Sequence, residues 1–320
     1  MRTALQERGE SVPNQVGKAH PAPDDNLPSS TTIFVGRAAE LSQLEDLLHQ
    51  PECRLLTLTG PGGSGKTRLA LALAQRLWQN APENFPDGVF FVPLASIETP
   101  DGLWAALAAA LGLELQPRLS PAAQVKRFLQ PRRALLVLDN LEQLEAHSGE
   151  LVNLLNESAG LKLLVTSRLA LGLYEEWLFE VGGLAMDDTP DNDAAQLFAQ
   201  TARRARLRFN LAAEWPHVQV ICRLVGGLPL GIELAAAWVR SLPVREIAAL
   251  VKRSQAQPAS PLRNLADRHT SLGRSFRPRG VYWNPMSSAS WRGWQSSRRR
   301  LTWLRRRGSH LPRRACFRGW

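Results

Sequence analysis

The stretch GPGGSGKT, residues Gly60–Thr67, lies between a short apolar run, RLLTLT at 54–59, and an amphipathic run at 66–80. It fits the pattern G-x-x-x-x-G-K-[ST], in which glycines let the backbone turn tightly and aim N–H groups at phosphate oxygens. The amphipathic run predicts a helix whose positive N-terminal end faces the same anion. The stretch therefore predicts a phosphate-binding loop between a buried strand and a helix.

Two side chains of this loop have chemical roles of their own. Lys66 supplies a positive charge for the β- and γ-phosphates of a nucleotide, and the Thr67 hydroxyl is a hard ligand for Mg²⁺. We therefore expect ATP or ADP, together with Mg²⁺, as cofactors. The predicted nucleotide-binding residues here are those of the loop and the residue after it: Gly60, Gly62, Gly63, Ser64, Gly65, Lys66, Thr67 and Arg68.

A second apolar run, ALLVLD at 134–139, ends on a carboxylate, Asp139. An acid at this place holds the Mg²⁺ shell in phosphate-loop proteins. The next residue, Asn140, is not the second carboxylate that a hydrolysing enzyme usually has there to orient the attacking water. Glu142 could take that role if the chain turned suitably, although a solvated glutamate at a helix start is the simpler interpretation. The sequence thus predicts slow or absent ATP hydrolysis.

A third apolar run, LKLLVT at 161–166, is followed closely by Arg168. Because side chains at the carboxyl ends of parallel strands face the ligand crevice, Arg168 is predicted to sense the γ-phosphate. The alternative is an ordinary surface arginine at a strand end. The predicted catalytic residues are Lys66, Asp139 and Arg168, and the predicted metal ligands are Thr67 and Asp139.

The order of apolar and helical runs predicts the fold class and the domains. Strand-length runs alternate with helical patterns up to about residue 186, which indicates an α/β P-loop NTPase fold with a mostly parallel sheet covered by helices. Beyond that point only helical periodicity remains, which predicts a small all-helical bundle. We therefore expect four parts: a flexible leader at 1–30, a nucleotide-binding domain at 31–186, a helical domain at 187–255, and a linker with a basic tail at 256–320.

The formal net charge of +10 resides in the tail alone. Residues 271–320 hold 13 arginines and no lysine or acidic residue, so residues 1–270 carry 26 of the 39 basic side chains and all 29 acidic ones, a net charge of −3. Global charge therefore says nothing about the partners of the main body. Three scattered cysteines, no secretory signal and no long apolar stretch indicate a soluble cytoplasmic protein without membrane contact.

Five motifs occur in a familiar order: FVGR at 34–37, the phosphate loop, LLVLDN at 135–140, LLVTSR at 163–168 and GLPL at 227–230. Together they resemble the nucleotide-binding module of the STAND class of signal-transduction ATPases. The branch they resemble is found in bacterial LuxR-type and related transcriptional regulators, and it is similar to NB-ARC modules. In this branch LDN often replaces two consecutive acids, so Asn140 does not imply inactivity.

The resemblance implies further site residues and a switch. Val35, Gly36 and Arg37 would line the adenine and ribose end, and Pro229 would close over the nucleotide from the helical part. ADP would hold a closed form, and ATP would release the protein for self-association. The segment at 267–272 resembles the start of the family's winged-helix unit, and the resemblance stops there, so DNA would be bound only through domains that this chain lacks.

The tail beyond about Gly273 has two explanations. Its mixture of Arg, Trp, Ser, Gly and Pro without any acid is what a shifted reading frame yields in GC-rich DNA, and this hypothesis also explains the sudden loss of family likeness. The alternative is a native basic tail that binds nucleic acid by neutralising phosphates and stacking bases. Translation of the gene in its other two frames distinguishes them.

Two other function classes remain as alternatives to a regulatory nucleotide switch. A metabolic ATP-dependent enzyme, such as a small-molecule kinase, needs an acceptor pocket with its own base, and the sequence offers no such group of residues. A DNA-binding protein that acts through this chain needs a helix-turn-helix or a functional basic tail, and no helix-turn-helix pattern is evident. Transfer of phosphate to an acceptor would reveal the enzyme, and a salt-dependent mobility shift of DNA would reveal the DNA-binding protein.

Overall fold

The structure is a computed structural model and describes residues 26–29 and 33–256. A parallel sheet with strand order β2-β3-β4-β1-β5 lies at its centre. Its strands are β1 Leu55–Thr59, β2 Val89–Pro93, β3 Leu135–Asp139, β4 Lys162–Ser167 and β5 Glu176–Glu180. The predicted α/β class with a parallel sheet is confirmed.

Nine α-helices accompany the sheet in the part of the chain that the structure describes. They are α1 Ala38–His49, α2 Lys66–Asn80, α3 Pro100–Ala110, α4 Pro121–Leu129, α5 Gly149–Glu157, α6 Asp193–Ala205, α7 Leu211–Leu224, α8 Pro229–Ala237 and α9 Val244–Ala256. Short 3-10 helices lie at Pro82–Asn84, Leu141–His147 and Trp238–Arg240. Among these described helices, none has the length and apolar character needed to cross a bilayer.

The alternation of side chains along each strand supplies two separate apolar cores. On one face, Leu136 and Leu163 belong to a buried cluster with residues of α3, α4 and α5. On the other face, Val137 and Leu164 belong to a cluster with residues of α1 and α2. Because both faces are covered, the central strands read as continuous apolar runs rather than as alternating ones.

Strand β5 and helix α5 are absent from the sequence-based prediction. The β5 sequence EWLFE begins and ends on glutamate, and none of its residues is fully buried, as expected of a strand at the edge of a sheet. Its register places Leu178 opposite Thr57 of β1. An edge strand lacks the apolar signal that revealed the central strands, and this explains the omission.

The end of the predicted leader packs against the sheet. The side-chain amide of Asn26 donates to the Phe91 carbonyl at 2.9 Å, and its oxygen accepts from the Phe91 N–H at 2.5 Å. Leu27 packs against the α1/α2 core. Asn26 and Leu27 thus contact the sheet and its core within the span predicted as a flexible leader over 1–30, whose flexibility stays a prediction. The rest of the predicted leader lies outside the described residues.

The described residues up to Val244 form one compact unit, and α9 continues into a second unit that begins at Arg245. The helical part starts with α6, whose N-cap Asn192 accepts the Ala195 N–H at 2.9 Å. The predicted domain boundary at 186/187 stays a prediction. The predicted tail beyond residue 256 and the winged-helix start at 267–272 lie outside the described residues.

Candidate nucleotide-binding site

The predicted phosphate loop connects the carboxyl end of β1 to the first turn of α2. The loop turns with positive φ angles of 80° at Gly63 and 89° at Gly65, which glycine adopts without the strain that a side chain would bring. Gly65 is the N-cap residue, and the first turn of α2 contains no acidic side chain. The positive end of the α2 dipole is therefore not neutralised by the helix itself.

Several backbone N–H groups of the loop lack a partner among the described residues, which indicates a site for an anion. The backbone N–H groups of Gly63, Gly65, Lys66 and Thr67 make no hydrogen bond to any other described residue, whereas Ser64 N–H bonds back to the Pro61 carbonyl at 3.2 Å. Successive N–H groups that converge at a helix start form a concave site for anions. This geometry is what the glycine pattern predicts.

Lys66 bends over its own loop. Its ammonium donates to the carbonyl oxygens of Gly60 at 2.9 Å and Pro61 at 3.1 Å. Burial lowers the pKa of Lys66, with Glu142 raising it, Arg168 lowering it and Asp139 raising it in smaller measure. A half-desolvated ammonium beside bare amides attracts an anion strongly, since little water has to be removed from it on binding.

Asp139 at the end of β3 links α2 to β4 at the carboxyl edge of the sheet. Its Oδ1 accepts from the Thr67 hydroxyl at 2.7 Å and from the Thr166 hydroxyl at 2.6 Å. Thr166 is fully buried, and its oxygen also accepts the Asn140 N–H at 3.0 Å. The structure thus brings the two predicted metal ligands, Thr67 and Asp139, into contact. Thr166 ends the third apolar run, and its contact with Asp139 adds its hydroxyl to the candidate site.

The donor set around Asp139 suits Mg²⁺. A hydroxyl and a carboxylate are the hard oxygen ligands that this ion prefers, and it commonly completes its shell with water and phosphate oxygens. The Asp139 Oδ2 has no protein partner among the described residues. In the same residues no group of three or more His, Cys, Asp or Glu side chains could hold a metal by itself. A cation here would therefore depend on the nucleotide for the rest of its ligands.

Arg168 lies at the end of β4 and pairs with Glu142. Its Nε is 3.1 Å from Glu142 Oε1, and 69% of its side chain is exposed against 24% for that of Glu142. The other carboxylate oxygen of Glu142 is buried without a hydrogen-bond partner among the described residues. Glu142 does begin the 3-10 helix, as the simpler interpretation has it, but its carboxylate is largely buried rather than solvated.

Helix α8 contacts the loop directly. The Leu230 N–H donates to the Gly63 carbonyl at 3.2 Å, and Cγ of Pro229 lies 3.6 Å from the position of a Cβ at Gly65. A Cβ at Gly63 would lie only 2.8 Å from that of Leu230, so glycine is required there by this contact as well as by φ. Pro229 and Leu230 therefore both lie beside the phosphate loop, and that Pro229 closes over a nucleotide stays a prediction.

Arg37 of the FVGR motif holds the phosphate loop through hydrogen bonds to backbone carbonyls. Arg37 is 3% exposed, and its guanidinium donates to the carbonyls of Ser64 at 2.7 Å and Gly182 at 2.8 Å. Its backbone N–H donates to the Asp193 carboxylate at 3.2 Å. Arg37 therefore fixes the loop backbone to the segment after β5 and to α6. That Val35, Gly36 and Arg37 also line an adenine end stays a prediction.

Arg68 follows the loop and faces the helical part. It pairs with Glu233 of α8 at 3.1 Å and donates to the Ile33 carbonyl at 2.9 Å. Both side chains are about one-third exposed, so this ion pair contributes little stability by itself. It is a second link between α2 and α8, and whether Arg68 binds a nucleotide stays a prediction.

Residues 33–166 match a family described as the AAA ATPase domain. The fold is that of a P-loop NTPase. The chain is 39% identical over 225 residues to "Uncharacterized protein Rv0894" of Mycobacterium tuberculosis. The aligned region covers 69% of this chain and 55% of that protein. The chain therefore spans about half the length of the curated relatives that it matches.

A second relative shares a shorter region. The "Putative HTH-type transcriptional regulator Rv0890c" of Mycobacterium tuberculosis is 42% identical over 198 residues, which is 61% of this chain and 21% of that protein. Among solved structures, a STAND protein with a tetratricopeptide repeat sensor from Pyrococcus horikoshii aligns with 71% of this chain and 33% of its own. That alignment has 16% identity and a TM-score of 0.42.

Proposed function

We propose that this chain is a regulatory ATP- and ADP-binding module of a cytoplasmic signalling or transcriptional regulator, with slow ATP hydrolysis or none. The observation that carries the proposal is the loop at Gly60–Thr67. Its free amide groups, the Lys66 ammonium and the contact of Thr67 with Asp139 converge where a nucleotide's phosphates and its Mg²⁺ would bind. Most of the binding free energy would come from charge-assisted hydrogen bonds to the phosphates.

The contacts of α8 support a switch rather than a simple enzyme. Leu230 and Pro229 touch the loop that would hold the phosphates, and Arg68 pairs with Glu233. A nucleotide that rearranges the loop would therefore disturb α8, so binding and the position of the helical part are linked. The HTH-type regulator among the relatives supports a role in transcription, in which DNA would be bound by other domains.

In this proposal ADP stabilises a closed form and ATP favours self-association. Arg168 would report the γ-phosphate, since it stands exposed at the carboxyl edge beside the loop. Size-exclusion chromatography with light scattering on the full chain tests the switch: a larger mass with ATP and Mg²⁺ than with ADP is expected. An equal mass in both nucleotides contradicts the switch while leaving the binding site untouched.

The binding site itself is tested by Lys66→Ala in the full chain. Calorimetric titration should show that the affinity for ADP and ATP falls by about 100-fold or more, because a charge-assisted contact to phosphate is lost. The urea midpoint should not decrease, since the hydrogen bonds of the Lys66 ammonium within the described residues go to carbonyls of its own loop. Lys252→Ala, at an exposed lysine of α9, is the matched control and should bind like wild type. Unchanged affinity in Lys66→Ala would refute the site.

A further inference from the structure

The chain turns sharply after Asp139 and brings a carboxylate back to the site. Asn140 has φ 64° and ψ 55°, a left-handed conformation in which asparagine is one of the better tolerated residues. The 3-10 helix at Leu141–His147 follows at once, with Glu142 in its first turn. Glu142 thus stands beside Arg168 near the carboxyl end of β4 and offers a carboxylate, which Asn140 does not.

One oxygen of Glu142 is held and the other is free. Oε1 pairs with Arg168 Nε at 3.1 Å, whereas Oε2 is buried and has no hydrogen-bond partner in the described part of the chain. A buried carboxylate oxygen without a donor costs free energy, and such a group in a native protein calls for an explanation. A hydrogen-bond donor that arrives when a nucleotide binds, such as a water molecule between Glu142 and a phosphate, would explain this free oxygen.

The charge of Glu142 acts on Lys66 of the phosphate loop. Of the charged side chains that act on the Lys66 ammonium, Glu142 has the largest effect, ahead of Arg168 and Asp139. Asp139 already accepts two hydroxyl hydrogen bonds and would bind the cation. Glu142 is therefore the carboxylate left to act on water next to the terminal phosphate.

Arg168 can hold Glu142 and a phosphate at the same time. The pair with Glu142 uses Nε, and the two terminal nitrogens of the guanidinium make no hydrogen bond to any other residue that the structure describes. A planar guanidinium presents its five N–H donors along different edges, so two acceptors can bind it together. A γ-phosphate bound to the terminal nitrogens would lie close to the Glu142 carboxylate.

We propose that Glu142 is the general base of slow ATP hydrolysis in this chain and that Arg168 positions it. This rests on the proposed nucleotide site. In the step, a water oxygen forms a bond to the γ-phosphorus and the bond from that phosphorus to the bridging oxygen of ADP breaks. Glu142 accepts one proton of the water and later releases it to solvent, and the products are ADP and inorganic phosphate.

The test compares Glu142→Gln with Glu145→Gln in the full chain. Gln keeps the shape and an acceptor for Arg168 but takes up no proton, whereas Glu145 is an exposed acid of the same 3-10 helix. Single-turnover hydrolysis of ATP with Mg²⁺ and excess protein should be about 100-fold slower in Glu142→Gln, the usual size of general-base catalysis. Calorimetric affinities for ATP and ADP should stay within about threefold, and Glu145→Gln should match wild type in both measurements.

A positioning role for Arg168 has its own readout. Arg168→Gln should lower the hydrolysis rate and also reduce the preference for ATP over ADP, whereas Glu142→Gln should leave that preference unchanged. The proposal is overturned if both proteins bind ATP and Glu142→Gln hydrolyses it as fast as wild type. If wild type binds no nucleotide, the proposed function itself fails, and the calorimetry distinguishes the two cases.

Discussion

Two buried threonines on the neighbouring strands β1 and β4 should change the free energy of unfolding in opposite directions when each is replaced by valine. Thr166 and Thr57 are both fully buried in strands, β4 and β1. The Thr166 hydroxyl donates to Asp139 at 2.6 Å and accepts from the Asn140 N–H at 3.0 Å, while the Thr57 hydroxyl has no partner among the described residues. Valine has nearly the same shape as threonine and carries a methyl group in place of the hydroxyl, so Thr→Val removes the hydrogen-bonding group at each position.

The two free-energy changes follow from the hydrogen bonds. In Thr166→Val a bond to a charged group, about 1.5–3 kcal/mol, and a neutral bond, about 0.5–1.5 kcal/mol, are lost, so the free energy of unfolding should fall by about 2–4 kcal/mol. In Thr57→Val a buried hydroxyl without a partner is removed, and the free energy of unfolding should rise by about 1 kcal/mol. The two variants should therefore differ by about 3–5 kcal/mol.

Urea unfolding of the full chain without nucleotide, followed by circular dichroism, measures both values. Thr57→Val is the matched control, since it alters a fully buried strand threonine of the same sheet without touching Asp139. Equal midpoints for the two variants, or a Thr166→Val midpoint above that of Thr57→Val, would refute the assignment of Thr166 as the residue that fixes the Asp139 carboxylate.

Two further predictions concern the backbone and the thiols. Gly36→Ala and Gly172→Ala both place a side chain at φ 73°, but only at Gly36 would the Cβ meet a neighbour, the Asp193 carboxyl carbon at 2.3 Å. Thermal unfolding should show a loss of about 1–2 kcal/mol for Gly172→Ala and clearly more for Gly36→Ala, and equal losses would contradict the contact. Burial raises the pKa of Cys53 to about 11 and that of Cys222 to about 12, so iodoacetamide at pH 8 should label neither until urea is added. Peptide masses show the outcome, and labelling of either thiol in the native chain would count against its burial.

The central elements could be predicted because their sequence signals are strong. The helix predicted over 66–80 agrees with α2, and the apolar runs at 54–59, 134–139 and 161–166 coincide with β1, β3 and β4. These segments combine strong apolar signals with clear flanking motifs. The edge strand β5 lacks both, and its place beside β1 depends on pairing with residues more than a hundred positions away.

The candidate site could be predicted in part for the same reason. The loop follows a contiguous motif, so Lys66 and Thr67 were evident, and Asp139 was evident from the end of an apolar run. The Thr166 hydroxyl and the orientation of Glu142 depend on which strands are neighbours and on the left-handed turn at Asn140. Neither follows from one sequence, although a polar residue at the end of each central strand is a signal that such groups meet at one edge.

The hydrogen bonds of Asn26 to Phe91 protect the edge of β2 against aggregation with other chains. Strand β2 is the outermost strand on its side, and the Asn26 amide satisfies both the N–H and the C=O of Phe91 in the way one residue of an added strand would. An unprotected strand edge is a template on which foreign strands assemble. Asn26 thus acts as a one-residue blocking segment, and a shortened protein that begins at residue 33 would offer that edge to aggregation.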